Sequence, residues 1–106
     1  MEPTKADYRI FWEMIPELKE RYHKRLNEEL VSILQDPEFS ASENFWGAQG
    51  KIQEIFPVLH SCLDGHSKAT MCEKILIMYH EGMFSREDIK AFRPEFQSWF
   101  FRKIEE

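Results

Sequence analysis

The sequence predicts an all-α fold, a compact single-domain bundle of five or six helices spanning residues 1–106. Three observations predict it: apolar residues recur at steps of three and four, helix caps punctuate the chain, and no stretch alternates with the period of a strand. A chain of 106 residues holds material for one hydrophobic core, and its 42% hydrophobic and 14% aromatic content exceeds that of a disordered segment.

Thr4 and Asp7 have the spacing of a capping box and predict the first helix start. Phe11, Ile15, Leu18, Tyr22, Leu26, Leu30 and Ile33 then mark one helical face. Pro16 interrupts that face, which predicts a short helix to about Met14 and a longer one from Pro16 to about Leu34. Residues 35–40 are polar and contain Pro37, a connection, with Ser40 or Ser42 available to cap the next helix. That helix is expected from about Glu43 to Leu63, with Phe45, Ile52, Phe56, Leu59 and Leu63 as its core face and a bend near Pro57.

Asp64-Gly65 ends that helix. Ser67 is expected to cap a central helix running to about His80, apolar on every side at residues 75–79 and stopped by Gly82. Ser85 and Asp88 form a second capping box, with Phe84 and Ile89 placed for a hydrophobic staple, and predict a helix over 86–92. A last helix follows Arg93-Pro94 and carries Phe96, Trp99 and Phe100 on one stripe.

The net charge of −5 is unevenly distributed: residues 1–25 carry +1, residues 26–81 carry −6 and residues 82–106 are neutral. An acidic middle repels phosphate backbones, so nucleic acid is a disfavoured partner. No apolar run is long enough to cross a bilayer, and no leader pattern opens the chain, so the expected location is the cytoplasm, away from membranes.

Cys62 and Cys72 read as buried free thiols. His60, Cys62, His66 and Cys72 are clustered in sequence, but His60 and Cys62 point to nearly opposite sides of a helix and Asp64-Gly65 separates Cys62 from His66. Neither a metal site nor any other cofactor is expected. Phosphate loops, nucleophile elbows and metalloprotease motifs are all missing from the sequence, so no catalytic residue is assigned and the chain is read as a non-enzyme. The basic run Lys19 to Arg25 contains the i, i+4 pairs Glu17–Arg21, Glu20–Lys24 and Arg25–Glu29, the pattern of a solvated face.

What remains is a surplus of large aromatics. Tyr8, Trp12, Trp46 and Phe101 fall off the predicted stripes, and exposed aromatics favour a partner surface. The expectation is a protein-binding regulator, inhibitor or adaptor, with homo-oligomerisation open. The alternative is a helix-turn-helix-like DNA-binding element over residues 74–106, contacting phosphate through Arg86, Lys90, Arg102 and Lys103.

Overall fold

The computed structural model describes residues 1–106, the side chain of Leu63 excepted. Four α-helices make up the chain: α1 (Lys5–Leu34), α2 (Ala41–Leu63), α3 (Met71–His80) and α4 (Pro94–Glu105), with one 3-10 turn at Asp88–Ala91. The helical class holds, whereas the expected five or six helices reduce to four.

Two of the differences have local causes. α1 is a single 30-residue helix that runs straight through Pro16. Pro16 lies on the exposed side, as does Trp12, whose carbonyl it cannot bond, while Phe11, Ile15 and Leu18 bury the opposite side. Burial of that face outweighs one lost hydrogen bond. The expected 86–92 helix is reduced to four residues although its box forms, with Asp88 N donating to Ser85 Oγ at 3.3 Å and Ser85 N to Asp88 Oδ2 at 2.7 Å. Pro94 forces Arg93 into extended backbone (φ −64°, ψ 157°), and the chain has no room for a second turn before it.

A third difference concerns α3, which begins at Met71. Ser67 does accept from Thr70 N, at 3.3 Å, but the two hydroxyl residues close an isolated turn ahead of the helix. Other punctuation forms where the residues predict it. Thr4 and Asp7 make a reciprocal box at 2.8 and 3.1 Å, Ser40 and Glu43 make another at 3.0 and 3.2 Å, and Gly65 and Gly82 take φ of +70° and +74°.

The core gathers at one end of the molecule. Phe11, Ile15, Leu18, Tyr22 and Leu26 of α1 meet Ile55 and Cys62 of α2, and Met71, Ile75 and Met78 of α3 close over them. The C-terminal segment adds an aromatic wall in which Phe92 stacks on Phe96 at 4.7 Å and Phe84 meets Phe100 edge-on at 5.6 Å. Two forked ion pairs fasten this segment to α1: Arg21 to Asp88 at 2.6 and 3.3 Å, and Arg93 to Asp7 at 3.0 and 3.2 Å.

The other end is an arm. The C-terminal turns of α1 and the N-terminal half of α2 leave the core together as an antiparallel hairpin, giving extents of 52 × 25 × 21 Å. The radius of gyration is 16.6 Å, against about 13 Å for a compact domain of this length, so the bundle is not compact.

Candidate interaction surface

The hairpin register follows from small and polar residues. A Cβ on Gly47 would lie 3.3 Å from Ile33 Cγ2, so the glycine lets α2 approach α1 closely at the tip. Asn44 Nδ2 donates to the carbonyls of Leu34 and Asp36 at 3.3 and 3.1 Å, closing the end of α1. Midway along the arm Lys51 pairs with Glu29 at 3.6 Å, and Arg25 approaches the same carboxylate at 3.8 Å. These ions occupy one flank of the arm, which also carries Glu54 and continues to Glu81 at the core.

The opposite flank is apolar and open. On an α-helix, Phe45, Ile52, Phe56 and Leu59 lie along one line about a quarter-turn from the buried line Ala48, Ile55 and Cys62. The expected core face of α2 is therefore largely a surface: Phe45 is 58% exposed, Ile52 48% and Phe56 65%. The reason is geometric. In a two-helix arm only α1 is available to cover α2, and it covers the line of Ala48 and Ile55. Between Ala41 and Glu54, Ala48 is the one buried residue among those described.

Seven of the nine exposed large apolar side chains among the described residues fall between Val31 and Phe56, so the exposure belongs to the arm and not to scattered surface. Trp46 is 64% exposed and stands edge-on to Phe45, with ring centroids 5.1 Å apart. At the base of the flank, where the arm meets the core, a shallow groove between α1 and α2 is lined by Lys19, His23, Phe56, Leu59, His60 and Asp64.

The four residues singled out from sequence divide. Trp46 sits on the arm beside the apolar flank. Trp12, 59% exposed, pairs with half-buried Tyr8 at 6.2 Å near the other end of α1. Tyr8 is tied down, its hydroxyl donating to the carbonyl of His66 at 3.2 Å. Since Trp46 lies level with Ile33, twenty-one residues beyond Trp12, the two tryptophans are roughly 30 Å apart along α1 and share no patch. Phe101 is half-buried against Phe100, with the Arg86 guanidinium 5.9 Å above its ring. The sequence reading missed Phe45, Ile52 and Phe56 as surface residues. A readable signal existed: the apolar arc of α2, from Phe45 through Ala48 and Ile55 to Leu59, is wider than one neighbouring helix covers.

Elsewhere the chemistry is subdued. Cys62 and Cys72 are free, and burial pushes both thiols up, away from the reactive thiolate. Among the described residues no three His, Cys, Asp or Glu side chains are grouped to hold a metal, and no helix is long and apolar enough to cross a membrane. Arg86, Lys90, Arg102 and Lys103 are all exposed, but Lys90 pairs with Glu87 at 3.0 Å and Lys103 with Glu106 at 3.6 Å. The apolar stripe of α4, Phe96, Trp99 and Phe100, is buried in the core. Compared with sequence models of protein families, with curated proteins and with solved structures, the chain matches none.

Proposed function

We propose that the protein acts by binding another polypeptide through the apolar flank of the α1–α2 arm, as a regulator, inhibitor or adaptor without catalysis of its own. The observation that carries this reading is the concentration of exposed Phe45, Trp46, Ile52 and Phe56 on an arm outside the core, where no element of the chain covers them. Buried side chains at a core are explained by stability, but exposing three large aromatics to water is unfavourable and stabilises nothing within the chain. Large aromatics also dominate the binding energy of protein interfaces.

The test is affinity capture with mass spectrometry from the protein's own source, comparing wild type with Phe45→Ala, Trp46→Ala and Phe56→Ala. The expected result is a specific bound polypeptide lost from the variants, whose melting temperatures stay close to wild type because the removed side chains are exposed. Capture that is indifferent to all three substitutions overturns the reading.

A further inference from the structure

We propose that the occupant of the flank is a second copy of this chain, packed antiparallel about a two-fold axis at Ile52, so that two arms form a four-helix unit. The inference rests on the docking surface proposed above and adds its partner.

Area is the first argument. Phe45, Trp46 and Phe56 are 58–65% exposed, and at about 200 Å² per aromatic side chain they offer on the order of 350 Å² of apolar surface. With Leu34 and Ile52, each about half exposed, the sum approaches roughly 500 Å², near the upper end for a monomer's largest patch. The interleaved Ser42, Gln49 and Gln53 bring the flank towards the roughly 800 Å² per partner of a standard interface.

Self-complementarity is the second. A two-fold contact sets a patch against itself, which a charged patch resists. On α2, between Asn44 and Leu59, this flank carries no charged side chain, since Lys51 and Glu54 lie on the opposite one with Arg25 and Glu29 of α1. Apposition of two α2 faces there buries no ion. With the axis at Ile52, helical spacing sets Phe45 of one copy against Leu59 of the other, and Phe56 beside the half-buried Gln49, Ala48 itself being covered by α1.

The ends supply the third. The tip is acidic, with Asp36, Glu38 and Glu43, whereas the base carries Lys19, His23 and His60 beside a single carboxylate, Asp64, 4.0 Å from Lys19. An antiparallel pair places each tip over the other's base, and a parallel pair would set tip against tip.

Sedimentation equilibrium of the full chain at up to about 100 µM, beyond which association would leave the flank largely open, is expected to give twice the chain mass of 12.8 kDa. Ile52→Glu, which places two carboxylates at the axis, should give the single-chain mass with an unchanged helical spectrum, while Ile52→Leu stays paired. If Ile52→Glu were to lose its helical spectrum, Phe45→Ser, off the axis, replaces it and should also reduce the mass to one chain. In a Cys72→Ser background, Ile52→Cys should cross-link between copies under mild oxidation and Phe45→Cys should not. A single-chain mass for wild type, or cross-linking through Phe45→Cys, overturns the proposal. If that single chain still holds another polypeptide in a manner that depends on Phe45 and Phe56, the docking reading outlives the second copy. If it holds none, both fail.

Discussion

Asp7 and Arg93 lie 86 residues apart in sequence, and both carboxylate oxygens of Asp7 accept from Arg93 Nε, at 3.2 and 3.0 Å. Asp7 is 1% exposed and also accepts from Thr4 N, so one carboxylate caps α1 and fastens the entry to α4. Removing the guanidinium leaves a buried charge with one backbone donor.

Arg93→Met is accordingly expected to lower the denaturation midpoint, by less than breaking a fully buried pair would because the arginine is partly exposed. Chemical denaturation measures it, and a double-mutant cycle with Asp7→Asn isolates the coupling. A coupling near zero would mean that the clasp is incidental.

The second clasp makes stability depend on pH. Burial of Asp88 favours its neutral form, yet the Arg21 hydrogen bonds and those from the Ser85 N–H and hydroxyl outweigh it and hold the carboxyl below its ordinary range. A carboxyl depressed in the folded state binds fewer protons there than when unfolded. Its contribution is therefore complete above the unfolded value of about 4 and is lost as pH falls through the lower folded value. The loss should accumulate as pH falls from about 5 through the depressed folded value. Denaturation midpoints across that range should fall less steeply for Arg21→Met than for wild type; parallel curves would rule the pair out as the cause.

Much of this architecture is legible in the residues because it is local. Thr4–Asp7, Ser40, Gly65, Gly82 and Ser85–Asp88 each act within one turn of chain, and each takes the predicted geometry. Pro16 was misleading because its penalty is local while its compensation is tertiary. Phe11, Ile15 and Leu18 are buried in a cluster completed by α2, α3 and the C-terminal segment, whose positions no window around Pro16 contains. The same limit hid the flank. Phe45, Ile52 and Phe56 have the period of a core face, and periodicity reports that a face is apolar without reporting whether anything covers it. Trp46 was readable as exposed because it falls off that line, but its neighbours on the arm were not.

The glycines should respond to alanine with opposite signs. Gly65 and Gly82 have positive φ, so Gly65→Ala is expected to cost about 1 kcal/mol and Gly82→Ala more, because its Cβ would also run into the Arg25 guanidinium. Gly50 lies inside α2, where an added Cβ would meet nothing within 4 Å. Gly50→Ala should instead stabilise the single chain by about 0.5–1 kcal/mol, read from the denaturation midpoint. A destabilising Gly50→Ala would imply a close neighbour at that position.

Two isoleucines three residues apart decide which face of α2 is inside. Ile55 is 7% exposed and packs in the core, whereas Ile52 is 48% exposed on the flank. Truncating the first deletes buried methyl groups and leaves a cavity between α1 and α2, so Ile55→Ala should cost about 2–4 kcal/mol. At concentrations low enough that the chain is single, Ile52→Ala should cost less than about 1 kcal/mol, since its side chain already meets water. Both values come from one urea series under identical conditions. The reverse ranking would restore Phe45, Ile52, Phe56 and Leu59 as the core face and remove the surface on which the proposed binding depends.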